Sequence, residues 1–235
     1  MKNLKIGVYD SGYGGLYFVK SAIESNINAT YYYLGDNNNA PYGQKSKEEL
    51  SSLFIKNITT LESNKVDIIV VACNTLSVSV LSKIKQFANV KVFGVFPPVE
   101  KQIIKNKKTI LLATPITSKY FQNVKGLTSV GLKDLVFQIE QNKNANVYDH
   151  LKDENISIYN FDHVVLGCTH FERIKSQLFS HFCPHEITSG IDCTIEKVKE
   201  YIKNNKTFNF DRKSQVIFIG ECKDKNKKFF YNVVN

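Results

Sequence analysis

Short apolar runs trade places with stretches of helical spacing along the 235 residues. The runs Leu4–Tyr9, Ala29–Leu34, Val66–Ala72 and Val90–Val95 predict strands, and farther on so do Lys108–Ala113, Val164–Gly167 and Gln215–Gly220. Between them, the spacing predicts helices over Gly15–Ser25, Lys47–Ser63, Leu76–Phe87, Ile116–Val124, Asp134–Gln141, Phe171–Phe182 and Ile191–Asn204. Shorter helical pieces are expected around Tyr148–Asp153 and at the C-terminus. In Lys47–Ser63, Leu50, Phe54, Ile58 and Leu61 fall on one face, as an amphipathic helix requires. Val66–Ala72 is apolar but for Asp67, the signature of a parallel strand buried on both sides. Repeated strand–helix units of this kind imply a parallel α/β architecture.

The pattern runs through the chain twice. Each half has an early strand ending in a hydroxyl-bearing loop, Asp10-Ser11-Gly12 in one and Thr114-Pro115-Ile116-Thr117 in the other. Each half has a later strand ending in a cysteine, Cys73-Asn74-Thr75 and Cys168-Thr169-His170. Two similar α/β lobes with a site between them are expected, and the stiff Pro97-Pro98 pair is the expected crossing. Ligands of open α/β sheets bind beyond the C-terminal ends of strands, where both cysteines lie.

Composition narrows the class. Apolar residues make up 43% and charged residues 23%, as in a soluble globular protein, and no apolar run is long enough for a membrane span. A strand-like run from Leu4 leaves no room for a leader peptide, so a cytoplasmic protein is expected. The net charge of +9 would draw anionic partners, but the lysines are scattered. The densest group, Lys223, Lys225, Lys227 and Lys228, reads as a solvated helix face, and no nucleic-acid signature accompanies it. None of the five cysteines forms a CxxC pair, so a zinc ribbon or thioredoxin-type motif is not expected. Cys183, Cys193 and Cys222 read as small buried apolar residues, Cys183 and Cys222 most clearly.

The two remaining cysteines carry the chemistry. A thiol has a pKa of roughly 8.5, tunable by neighbouring charge, and the helices expected after Cys73 and Cys168 should favour their thiolates. His170 stands two residues from Cys168 and could hold or relay its proton. Asp10 could serve Cys73 if the first and third strands are neighbours. Asn74, Thr75, Thr117 and Thr169 offer hydrogen bonds to a carboxylate on which enolate-like charge develops. The glycines of Asp10-Ser11-Gly12-Tyr13-Gly14-Gly15 would let backbone approach a ligand, but Tyr17 spoils a dinucleotide fingerprint and Asp10 would repel phosphate. Asp10 suits an ammonium group instead. Pro41-Tyr42-Gly43 could present a rigid backbone and a phenol to a small acid. A Cys–His hydrolase needs only Cys168 and His170 and leaves the matching Cys73 loop unexplained. A metal site built from Cys73, Cys168 and His170 lacks close ligand spacing.

These motifs, taken in order along nearly the whole chain, resemble glutamate racemase, of the aspartate/glutamate racemase superfamily. They are Asp10-Ser11-Gly12 with Gly14-Gly15-Leu16, Pro41-Tyr42-Gly43, Ala72-Cys73-Asn74-Thr75 and Leu166-Gly167-Cys168-Thr169-His170-Phe171. The resemblance implies interconversion of L- and D-glutamate without cofactor or metal, supplying D-glutamate for peptidoglycan. Cys73 would take the α-proton from D-glutamate and Cys168 from L-glutamate, supported by Asp10 and His170. Ser11, Pro41, Tyr42, Gly43, Asn74, Thr75, Thr117 and Thr169 would contact the substrate. It implies two pseudo-symmetric lobes, residues 1–95 with 188–235 and residues 96–187, and commonly a homodimer. The chain departs from the family pattern at Asn37-Asn38-Asn39, in Gly131–Asp134 before Glu140, and at Ile219-Gly220-Glu221. Alternatives from the same residues are racemisation of aspartate or another amino acid, and a catalytically impaired relative that only binds a dicarboxylate.

Overall fold

The computed structural model describes residues 2–103, 107–141, 145–205, 208–209 and 213–234. Two parallel sheets, each flanked by helices, form two lobes. The first sheet uses β1 (Lys5–Asp10), β2 (Thr30–Gly35), β3 (Ile68–Val71) and β4 (Lys91–Gly94), together with a strand from the far end of the chain. The second uses β5 (Thr109–Ala113), β6 (Leu127–Gly131), β7 (His163–Gly167) and β8 (Ile187–Ser189). The late strand β9 (Gln215–Phe218) returns to the first lobe and pairs with β2, giving the order β9-β2-β1-β3-β4 beside β6-β5-β7-β8.

The helices follow from the apolar stripes. α1 (Gly15–Glu24) and α7 (Gly190–Asn204) cover one face of the first sheet, where Leu16, Phe18, Ile195 and Val198 meet Ile6, Val8, Ile68 and Val70. α2 (Lys47–Ser63) covers the other, its Leu50, Phe54, Ile58 and Leu61 packing on Tyr9, Ile69 and Val71. Its start is fixed by a capping box: Ser46 accepts from the Glu49 amide while Glu49 binds the Ser46 amide. The chain crosses between lobes after β4, through Pro97-Pro98, and returns at Ser189–Gly190. A Cβ on Gly190 would sit 2.2 Å from the Phe96 carbonyl oxygen, so the two crossings abut. The C-terminal α8 (Lys223–Val234) turns Lys223, Lys225, Lys227 and Lys228 to solvent. Among the described residues no helix is long and apolar enough to cross a membrane.

The structure departs from the sequence reading where burial overrides period. The helix expected over residues 76–87 is interrupted at Val80, whose φ of −131° leaves the helical region. On either side of the break Leu76, Val80, Leu81 and Ile84 all lie in the core. α3 (Asn74–Ser79) is therefore short. The helix expected over residues 171–182 is a 3₁₀ segment, Thr169–Ile174, followed by one turn, Lys175–Leu178. That tighter coil buries Thr169, His170 and Phe171 in succession. β6 and β8 carry no clear alternation: one is a half-exposed edge and the other three residues long. Cys222 is buried as expected, but Cys183 is exposed and Cys193 partly so. Cys183 falls in the turn before a 3₁₀ segment at Pro184–Glu186, outside the second core.

Candidate active site

β1 and β3 are hydrogen-bonded neighbours, with Tyr9 opposite Val71, so Asp10 and Cys73 leave adjacent strand ends in the first lobe. β5 and β7 are likewise paired, Ala113 opposite Gly167, which sets Thr114 beside Cys168 in the second. The C-terminal ends of both pairs meet in one cleft. The cavity there is lined by Ser11, Pro41, Tyr42, Gly43, Cys73, Asn74 and Thr75 from the first lobe and by Thr114, Val136, Cys168, Thr169 and His170 from the second. Its free volume is only ≈ 10 Å³, room for about one water. That is less space than an amino acid fills.

Each thiol has its own titratable partner. The Cys168 sulfur lies 3.7 Å from His170 Nδ1, and the other ring nitrogen, Nε2, is 2.8 Å from Glu140 Oε1. Glu140 ends α5 (Leu135–Glu140) and also accepts from the Tyr13 amide. Burial alone would lower the His170 pKa, but its bonds to Cys168 and Glu140 win and hold it well above its ordinary value. Asp10, fully buried, accepts from the Gly12 amide at 2.9 Å and from the Thr169 hydroxyl at 3.1 Å, tying the lobes together. Burial raises its pKa against the lowering influence of His170 and these bonds.

Cys73 differs from the sequence expectation. It caps α3, yet burial and the nearby Asp10 carboxylate push its thiol up to about 12, against donation by the Leu76 amide and Ser11. Desolvation of a fully enclosed anion outweighs the dipole of a six-residue helix. Cys73 therefore rests as a thiol at neutral pH.

The polar walls are committed to one another. The Asn74 amide donates to the Val95 carbonyl, in the crossing between lobes, and the hydroxyls of Thr75 and Thr114 pair at 2.9 Å across the cleft. Thr117, a sequence candidate, stands behind Thr114 and accepts its hydroxyl at 3.2 Å rather than lining the cavity. Asp10 also stands one layer back. Sequence reasoning missed Thr114, which ends its strand as Cys168 does and could have been found by that symmetry. It left Glu140 without a role, because nothing local ties a glutamate on α5 to a histidine thirty positions on. Among the described residues no group of three or more His, Cys, Asp or Glu is arranged to hold a metal ion.

The Glu140–His170 pair has a measurable consequence. Glu140→Gln removes one of the groups that raise His170, so the imidazole is expected to titrate at lower pH, read by NMR on the histidine ring; an unmoved midpoint contradicts the coupling. Because the folded value lies above the unfolded one of about 6.5, the stability that this pair contributes is complete below that pH. It is lost as pH rises through the folded value, and the Gln variant should show less of this slope.

Comparison with known proteins places the fold. No family model matches the chain. It is 35% identical over 195 residues to a glutamate racemase of Clostridium botulinum (strain Alaska E43 / Type E3), covering 76% of this chain and 75% of that one. It superposes with a TM-score of 0.78 on the glutamate racemase of Francisella tularensis subsp. tularensis SCHU S4 in complex with D-glutamate, at 23% identity over 99% of this chain and 95% of that one. The Escherichia coli glutamate racemase, in complex with L-glutamate and the activator UDP-MurNAc-ala, gives 0.81 at 20% identity over 98% and 95%. At these identities the two structures speak for the fold alone.

Proposed function

This chain belongs to the glutamate racemase family, a family of isomerases, and from that premise we propose that it interconverts L- and D-glutamate by passing the α-proton between Cys73 and Cys168. The observation that carries the mechanism is that both thiols line one closed cavity, each backed by its own acid–base group. Cys168, its proton held by His170, removes the α-proton of L-glutamate. The electron pair of the broken C–H bond spreads into the α-carboxylate, where Ser11, Asn74, Thr75 and Thr169 supply hydrogen bonds. Cys73, resting as a thiol, delivers its proton to the opposite face and gives D-glutamate. The cycle ends with Cys168 protonated and Cys73 ionised, and D-glutamate runs it in reverse. Asp10, one layer behind Thr169, supplies negative charge on the Cys73 side that favours the substrate ammonium, while Glu140 orients His170. Proton transfer between thiols and carbon needs no cofactor in this scheme.

The wider readings rest on the same resemblance. We assign residues 1–95 with 190–235 to one lobe and 96–189 to the other, two residues beyond the boundary expected from the resemblance because Thr188 and Ser189 pair with β7, and expect a cytoplasmic homodimer whose D-glutamate enters peptidoglycan. The experiment that tests the function is proton exchange in deuterium oxide without added cofactor. Both enantiomers of glutamate should take up deuterium at Cα and converge on a racemic mixture. Glutamate that binds but never exchanges would overturn catalysis, and faster turnover of aspartate would reassign the substrate.

A further inference from the structure

Tyr42 lines the cavity, yet its hydroxyl is bonded to groups that do not. Its O–H donates to Asp36 Oδ2 at 2.5 Å, and its oxygen lies 2.7 Å from the hydroxyl of Tyr9. Asn57 Nδ2 reaches both the Tyr9 oxygen at 2.9 Å and Asp36 Oδ2 at 3.2 Å. Asn39 Nδ2 donates to Asp36 Oδ1 at 2.8 Å. None of Tyr9, Asp36, Asn39 or Asn57 lines the cavity.

The hydrogens in this cluster have one consistent assignment. A carboxylate only accepts, so Tyr42 gives its proton to Asp36. Having spent it, the Tyr42 oxygen can only accept, and Tyr9 must donate to it. The Tyr9 oxygen then accepts from the Asn57 amide. Burial pushes both phenols above their ordinary pKa, aided at Tyr42 by Tyr9 and Asp36 and opposed at Tyr9 by the bonds with Tyr42 and Asn57, so neither proton leaves at physiological pH. Tyr9 and Tyr42 are essentially inaccessible to solvent, and Asn57 is a buried amide on the inward face of α2.

We infer that Tyr9 and Asn57 are positioning residues for substrate binding, acting through the Tyr42 hydroxyl to fix the Pro41–Gly43 wall of the cavity. Two elements meet at that one oxygen and a third braces them: Tyr9 stands in β1 just before Asp10, Asp36 follows β2, and Asn57, from the middle of α2, holds both of them. The wall they hold is also the first lobe's close approach to the second, since a Cβ on Gly43 would lie 2.8 Å from Thr114 Cβ. The phenol of Tyr42 is thus a fastening, and what it offers a ligand is ring surface and the adjoining backbone. This inference rests on the racemase reading for its substrate.

The test is a double-mutant cycle on glutamate racemisation with Tyr9→Phe and Tyr42→Phe. Each single variant keeps the ring and its packing. Each should raise KM for D-glutamate about tenfold with kcat changed by less than about twofold, the mark of a lost binding contribution. Because both act through one hydroxyl pair, the double variant should be little worse than the worse single. Asn57→Ala should give the same KM effect by a different route. Phe54→Leu trims a ring that packs on Tyr9 at 6.3 Å between centroids and touches no hydrogen bond of the cluster. It should lower the melting temperature and leave KM alone. An unchanged KM in Tyr9→Phe, or additive losses in the double variant, overturns the positioning role while the racemase reading stands. A wild-type chain that does not racemise glutamate overturns both.

Discussion

Cys73→Ser is expected to lower racemisation by about 10³-fold, because a serine hydroxyl is a far weaker acid than a thiol and general acid–base groups contribute typically 10²–10⁴-fold. Cys168→Ser should do the same. The loss cannot favour one direction, since two enantiomers have equal free energies and the ratio of the two kcat/KM values is fixed at unity. Racemisation rates alone therefore cannot say which thiol serves which enantiomer. Isotope exchange can. In Cys73→Ser, Cys168 still removes the α-proton of L-glutamate and can return solvent deuterium to the same face, so exchange into L-glutamate should outpace racemisation while exchange into D-glutamate fails. Cys168→Ser should show the mirror image. Proton NMR of Cα in deuterium oxide reads both. Full racemisation in either variant, or equal exchange from both enantiomers, would overturn the two-base scheme. His170 belongs to one side of this asymmetry and the high-pKa thiol of Cys73 to the other.

Gly14→Ala is expected to cost about 10²-fold in kcat/KM with the fold intact. Gly14 has φ −57° and ψ −37°, a helical conformation in which alanine is ordinarily preferred, so backbone strain predicts no penalty. Its surroundings predict a large one. An added Cβ would lie 2.4 Å from Thr169 Oγ1, 2.7 Å from His170 Nδ1 and 2.8 Å from the His170 backbone nitrogen. All three belong to the opposite lobe, and the backbone atom cannot swing aside. The methyl group acts as a wedge at the contact where Thr169 reaches Asp10, and misplacement of reacting groups by about 1 Å can cost 10²-fold. Circular dichroism should be unchanged and turnover strongly reduced. Wild-type turnover would show that the lobes need not close on this contact for catalysis.

Much of this site can be read from the chain because its residues sit at strand ends. Periodicity places Asp10, Cys73, Thr114 and Cys168 at four such ends, and the parallel α/β rule places a ligand beyond them. The family named from the motifs agrees with 35% identity to a Clostridium botulinum glutamate racemase. Period failed at Thr169-His170-Phe171, where three consecutive residues are buried, because a helical face repeats every three or four positions.

The sequence by itself determined the class of fold, the order of its units, and which side chains stand at the mouths of the strands. Those depend on local period and on residues near one another along the chain. Only the tertiary structure decided what state those side chains are in. Cys73 keeps its proton because the folded core strips it of water beside Asp10, although its place before a helix argued the opposite. His170 is raised by Cys168 and Glu140, Tyr42 spends its hydroxyl on Asp36 and Tyr9, and Thr114 stands where Thr117 was expected. Protonation and hydrogen-bond partnership are set by burial and by groups remote in sequence, such as Asp10 and Thr169 from opposite lobes. Both come into being only when the chain folds, within one lobe for Tyr42 and for His170, and between lobes for Asp10 and Thr169.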